Sequence, residues 1–213
     1  MSVYVVGITG GSGAPYTKRL LEALLQTEHQ VKAVISAAGE EVLKIELGLH
    51  LEGTLKHKEE QLKVLLDVDK PDIELELFDP KDLTASISSG SFPSAGMVIA
   101  PCSMGTLGRI AMGASSNLVE RAADVMLKER RPLILVPRET PLSEIHLRNM
   151  LWVRRAGAEV LPAMPGFYHN PRSISDLVDF IVGRILDRLG IQNNLFRRWK
   201  EEEAPAYLSL DEF

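Results

Sequence analysis

Val3 to Ile8 is a short, β-branched apolar run that ends in a cluster of glycines, a pattern that predicts a buried strand. From Tyr16 to Gln26 the period changes. Leu20, Leu21, Leu24 and Leu25 fall at helical spacing, so a helix is expected there. The alternation then repeats. Val31 to Ile35 predicts a strand, Ala37 to Leu47 a helix, Glu74 to Phe78 a short strand, and Met97 to Ala100 a core strand stopped by Pro101. Helices follow near Thr106 to Met112 and Asn117 to Lys128. Leu133 to Val136 reads as a strand, again stopped by a proline. Ser143 is an N-cap residue for a helix reaching Ala156, Val160 to Pro162 reads as a brief strand, and Ser173 to Leu189 as a long helix that Gly190 ends. The pattern is weakest over 52–72, which is rich in Lys and Glu and allows a surface helix over Lys56 to Leu66. Ala85 to Pro93 reads as a small-residue loop.

Strands alternating with helices imply parallel crossovers and a layered α/β sheet. Ligands of such sheets bind outside the carboxyl ends of the strands. The loops richest in chemistry, Thr9 to Ala14, Ser36 to Gly39, Pro101 to Gly105 and Pro137 to Pro141, all fall at those ends. A chain of 213 residues suits one such domain. Its expected extent is 1–190, with 191–213 a polar tail carrying Trp199 and Tyr207 that packs near the site or on a neighbouring subunit.

Charge and composition narrow the partners. A net charge of −5 lacks the basic footprint of a nucleic-acid binder. No apolar stretch approaches the roughly 20 residues of a membrane span, and the N-terminus lacks the pattern of a signal peptide. One cysteine, Cys102, forms no intrachain disulfide. The expectation is a soluble cytoplasmic protein.

Five segments carry candidate chemistry. Gly7-Ile-Thr-Gly-Gly-Ser-Gly-Ala14 allows close backbone approach and leads to a helix whose first N–H groups could face an anion. It lacks both the dinucleotide spacing and the lysine of a phosphate loop, and Ser12 reads equally as a ligand contact or a cap. Pro101-Cys-Ser-Met-Gly-Thr106 offers hydroxyls at a second turn, where Cys102 reads better as a small buried residue than as a nucleophile. Arg121, Asp124 and Lys128 share a helix face, while Arg130 and Arg131 read as a solvated surface. Arg138 and Glu139 sit between two prolines, as a phosphate fork and proton carrier or as a structural pair. Pro165-Gly-Phe-Tyr-His169 displays aromatics; Tyr168 can bond a phosphate while lining an apolar wall. The five histidines show no metal-ligand spacing.

Together these segments closely resemble the UbiX/Pad family of flavin prenyltransferases. The resemblance spans about residues 3 to 200. It rests on the first glycine loop, Ser-Ile-Ser-Ser-Gly-Ser-Phe (86–92), Pro-Cys-Ser-Met-Gly-Thr-Leu (101–107), Arg-Ala-Ala-Asp-Val-Met-Leu-Lys-Glu-Arg-Arg-Pro (121–132), Leu-Val-Pro-Arg-Glu-Thr-Pro-Leu (135–142) and Pro-Ala-Met-Pro-Gly-Phe-Tyr-His (162–169). It implies a flavodoxin-like (Rossmann-like) three-layer sandwich with a parallel sheet. It implies a metal-independent transfer of a dimethylallyl group from dimethylallyl phosphate to N5 and C6 of reduced FMN, giving prenylated FMN for a UbiD-type decarboxylase. Homo-oligomers, trimers or dodecamers, with FMN at subunit interfaces are implied too. By matching motif, Gly10, Gly11, Ser12, Ser36, Ser103, Met104, Gly105, Thr106, Arg138 and Trp199 contact FMN; Tyr168 and Arg184 hold the prenyl phosphate with Lys128 and Arg121; and Glu46 and Glu139 are active-site carboxylates. Two rivals remain: an FMN-dependent cysteine-type decarboxylase, for which the arginine-rich set is superfluous, and a non-catalytic flavin carrier, which needs only the FMN loops.

Overall fold

A computed structural model describes residues 2–27, 29–68 and 74–199. Within them the expected alternation holds: β1 (Ser2–Ile8), α1 (Ala14–Gln26), β2 (His29–Ile35), α2 (Ala37–Leu47), α3 (Leu55–Leu65), β3 (Leu75–Phe78), a 3₁₀ turn at Ser86–Ser88, β4 (Gly96–Cys102), α4 (Met104–Ala111), α5 (Leu118–Lys128), β5 (Leu133–Pro137), α6 (Glu144–Ala156), β6 (Glu159–Val160) and α7 (Ile174–Leu189). The strands form one parallel sheet in the order β3-β2-β1-β4-β5-β6. Parallel sheets are covered on both faces, which is why their strands read as continuous apolar runs. Alternate residues of β1 enter opposite cores. Tyr4, Val6 and Ile8 pack with Leu20, Leu24 of α1 and Ile181, Ile185 of α7; Val5 packs with Leu107 of α4 and Val119, Met126 of α5. Helices α1, α2, α3 and α7 therefore cover one face, and α4, α5 and α6 the other, giving the three-layer sandwich.

The strand order reverses between β1 and β4, with β2 and β3 added on one side and β5 and β6 on the other, so the crevice between their carboxyl ends is the switch point where a ligand is expected. Both prolines expected to stop strands lie inside them instead. β4 passes through Pro101, whose peptide with Ala100 is cis, and its register with β5 shifts between Ile99 and Cys102. Pro101 has no N–H to donate, but its carbonyl is doubly paired, accepting from the Thr9 amide at 3.2 Å and the Thr9 hydroxyl at 2.8 Å. Pro137 is likewise the last residue of β5. Helix α4 starts two residues before the expected Thr106 because the Ser103 hydroxyl accepts from the Thr106 amide and caps it.

Residues 191–199 fold back on α7. Phe196 is buried against Gly183, where a Cβ would lie 2.6 Å from a ring carbon. Tyr207 lies outside the described residues.

Candidate functional site

The carboxyl edge is drawn together by Thr9, a buried residue that the motif reading passed over. Besides its bonds to Pro101, its hydroxyl accepts from the Ser103 amide at 2.8 Å, while Thr17 donates to the Ala100 carbonyl at 2.6 Å. The ends of β1 and β4 are thus fixed to each other. A Cβ on Gly10 would sit 2.6 Å from that of Ala38, so the first loop and the start of α2 meet at a distance only glycine allows. Gly11 lies against Pro101 and the Ser103 amide, and Gly13 takes φ +140°. Ser36 and Ser103 cap α2 and α4 through the amides of Gly39 and Thr106, at 3.0 and 3.2 Å, and the Ser103 hydroxyl also donates to that of Thr106 at 3.0 Å. Met104 is buried beneath this turn and Gly105 exposed on it.

The start of α1 is not open to an incoming anion, contrary to the sequence expectation. Glu46, from the last turn of α2, accepts from the amides of Gly13 and Ala14 at 2.9 and 2.8 Å. A carboxylate already fills the seat that a helix N-terminus offers. Burial pushes the Glu46 pKa up, but the Ser12 hydroxyl, those two amides and the Arg138 guanidinium together hold it below the usual carboxylate range. The side chain is therefore ionised at neutral pH. Arg138, exposed at the end of β5, donates from Nε to the Ser12 carbonyl at 3.3 Å. It also faces Tyr16, whose phenol burial raises more than Arg138 lowers. Glu139 is half-buried and accepts from the Thr140 amide at 3.1 Å. Ser12, Glu46, Arg138 and Tyr16 thus form one cluster from three elements. The thiol of Cys102 is wholly buried and pushed up to about 12 by that burial, so it is no nucleophile at neutral pH.

The cations expected to bind a second phosphate are placed differently. Arg121 pairs with Asp124 at 2.8 Å, Lys128 with Glu129, and Arg184 with Asp187 at 3.8 Å. Lys128 ends α5 at the amino edge of the sheet, just before β5, whereas Arg138 follows β5 at the carboxyl edge. The length of that strand, roughly 16 Å, separates them. Arg184 and Tyr168 belong to the opposite face: Tyr168 meets Phe180 of α7 edge-on at 5.7 Å and Trp199 at 5.2 Å, while His169 stacks on Phe180 at 5.1 Å. Tyr168 and Trp199 are both exposed. One chain therefore brings Ser12, Glu46, Arg138, Ser36 and Ser103 together, and holds Tyr168, Arg184 and Trp199 as a second group and Arg121 and Lys128 as a third. Among the described residues no group of three or more His, Cys, Asp or Glu is placed to hold a metal ion, and no helix is long and apolar enough to cross a membrane.

A parallel sheet with its crevice at the β1–β4 switch, edged by glycines, capping serines and an arginine, defines the mononucleotide-binding α/β class. The chain belongs to the Flavoprotein family, whose model matches residues 2–186, and within it to the UbiX flavin prenyltransferases. The flavin prenyltransferase UbiX of Alkalihalophilus pseudofirmus is 51% identical over 201 residues, covering 93% of this chain and 96% of that one. The crystal structure of AnUbiX (PadA1) in complex with FMN and dimethylallyl pyrophosphate is 42% identical, covers 95% of this chain and 99% of its own, and superposes with a TM-score of 0.83. A dodecameric FMN-dependent UbiX-like decarboxylase from Escherichia coli is 40% identical, with coverage of 93% and 99% and a TM-score of 0.79.

Proposed function

We propose that this chain is a flavin prenyltransferase, joining the dimethylallyl group of dimethylallyl phosphate to N5 and C6 of reduced FMN, and that the prenylated FMN serves a UbiD-type decarboxylase. The observation that carries the reading is the near-full-length likeness to a protein crystallised with FMN and dimethylallyl pyrophosphate. The crevice supports it, since Gly10 and Gly11 let the first loop close against Ala38 and Pro101 at the carboxyl ends of the strands. FMN is the acceptor and supplies the nucleophilic ring atoms. Because Glu46 fills the start of α1, the FMN phosphate is left with the turns capped by Ser36 and Ser103, whose amides and hydroxyls suit an anion.

Departure of phosphate from the allylic carbon builds negative charge on the leaving oxygen. Arg121, Lys128 and Arg184, with the Tyr168 hydroxyl, are suited to neutralise it without a metal ion. Tyr168, Trp199 and the flavin face would shield the developing allylic cation from water. Two bonds to the flavin form, at N5 and C6, and the allylic carbon–oxygen, N5–H and C6–H bonds break; of the two protons released, one is balanced by a proton delivered to the prenyl double bond and the other leaves on the phosphate. Ser12, Glu139 and the released phosphate are the carriers we assign to that exchange. Glu46, whose charge the Ser12 hydroxyl favours, lies beside that exchange. Since the cations lie at opposite edges and faces of one chain, we infer a homo-oligomer, trimer or dodecamer, in which neighbouring copies complete each site. The setting we infer is the cytoplasm.

Incubation with reduced FMN and dimethylallyl phosphate, followed by mass spectrometry of the flavin, tests the reading. The wild type should add one prenyl unit. Lys128→Ala and Tyr168→Phe should retain FMN and lose most of the product. Flavin of unchanged mass with the wild type overturns the proposal and favours a carrier.

A further inference from the structure

Read as sequence, Arg131 belongs to a solvated basic surface. In the structure its guanidinium turns inward and grips the loop that follows the 3₁₀ turn. Nη2 donates to the Gly90 carbonyl at 2.7 Å, and Nη1 to the Phe92 carbonyl at 2.6 Å and the Ser94 hydroxyl at 3.2 Å. The backbone of Arg131 is itself anchored, its amide donating to the Met126 carbonyl of α5 at 2.9 Å. Arg121 takes the Ser88 carbonyl, two residues upstream of Gly90, at 3.1 Å. Alternate carbonyls of one loop are thus held by arginines from one helix and its end. A planar, permanently charged fork can bridge two carbonyls at fixed spacing, which a lysine ammonium cannot do.

The residue so held adjoins Lys128. A Cβ on Gly90 would run into the Lys128 ammonium and the Glu129 carboxylate, so this stretch of backbone and the end of that side chain share one small space. Moving the loop inward would displace the ammonium; moving it outward would leave Lys128 to its pairing with Glu129.

We propose that Arg131 is a positioning residue for Lys128: by fixing the Gly90–Phe92 backbone it fixes where the ammonium is presented to the phosphate of the prenyl donor. This rests on the reading that Lys128 contacts that phosphate. Arg131 itself touches neither substrate.

The test uses the FMN-loaded oligomer with Arg131→Gln and Arg131→Lys. In both, KM for dimethylallyl phosphate should rise at least about ten-fold, the scale of losing one hydrogen bond to a charged group. FMN should stay bound, and kcat at saturation should stay within about two-fold of wild type. Hydrogen exchange over residues 86–94 should quicken. On a Lys128→Ala background the same substitutions should raise KM no further, because the residue through which Arg131 acts is gone. Additive losses in the double variants, wild-type behaviour of Arg131→Lys, or unchanged exchange over 86–94 would each overturn the proposal. If Arg131→Gln does not assemble, Arg131→Lys carries every measurement. If the wild type leaves FMN unaltered, the enzymatic reading fails by itself. The Arg131 proposal is then decided on the FMN-loaded protein by loop exchange and by inorganic phosphate, whose binding should weaken in Arg131→Lys but not further in the double variant.

Discussion

At the scale of single residues, Glu46 changes the chemistry most. It turns what a glycine-rich loop and helix start would ordinarily be, a seat for phosphate, into a charged anchor that accepts from the first amides of α1 and lies in the field of Arg138. Its folded pKa is depressed, so its contribution to stability is present above the unfolded value, about 4.3, and is lost as pH falls through the folded one. Glu46→Gln keeps an oxygen for the two amides but no charge. The variant should melt below wild type at neutral pH, and the gap should close on acidification below the usual carboxylate range. A gap of constant size from neutral to acid pH would show that the charge on Glu46 does not anchor α1. None of this geometry was legible locally: Glu46 lies more than thirty positions from Gly13, and only resemblance to a family drew attention to it. Thr9 was missed for the opposite reason. It stands inside the quoted motif, but it is flanked by Ile8 and Gly10 and its partners are backbone groups at the end of β4 and the start of α4.

Between secondary-structure elements, the junction of α4 and α5 depends on a carboxylate with no solvent exposure. Glu120 accepts from Arg109 Nε at 2.5 Å, Asn117 Nδ2 at 2.8 Å and the Ser116 amide at 2.9 Å. Burial raises its pKa, and these donors more than reverse the effect, leaving it below the usual range. Arg109→Met takes away the cation but leaves the buried charge, which should destabilise the fold by about 1–3 kcal/mol. That loss should shrink as pH falls, since an unpaired buried carboxyl protonates more readily and then no longer resists burial. Denaturant unfolding of the variant at neutral and acid pH checks both the size and the sign. Such a pair is hard to read from sequence, where Arg109 and Glu120 are two charges among many. The elements themselves were legible because the central strands β1, β4 and β5 are buried on both faces and the helices on one, so the period of the apolar residues changes at those junctions. The prolines misled. Pro101 and Pro137 look like stops, but their carbonyls still accept, from the amides of Thr9 and Ala163, and β4 and β5 include them.

For the whole molecule, the decisive fact is that the proposed phosphate-binding cations do not meet within one chain. Lys128 lies at the amino edge on the α5 face, and Tyr168 with Arg184 on the α7 face, so a site using Lys128 and Tyr168 together must draw them from different copies. Lys128→Ala and Tyr168→Phe chains, each nearly inactive alone, should therefore complement when co-expressed with two affinity tags and purified as mixed oligomers. With random assembly of equal amounts, about a quarter of the sites would pair an intact Lys128 from one chain with an intact Tyr168 from another, because a heterologous interface joins two different surface patches. Were both residues supplied by one chain, every site in the mixture would carry at least one defect, and activity would stay at the level of the parents. Lys128→Ala mixed with Arg121→Ala serves as the control: both positions lie on α5, so under this proposal they serve one site from the same copy, and that mixture should stay inactive while the first recovers.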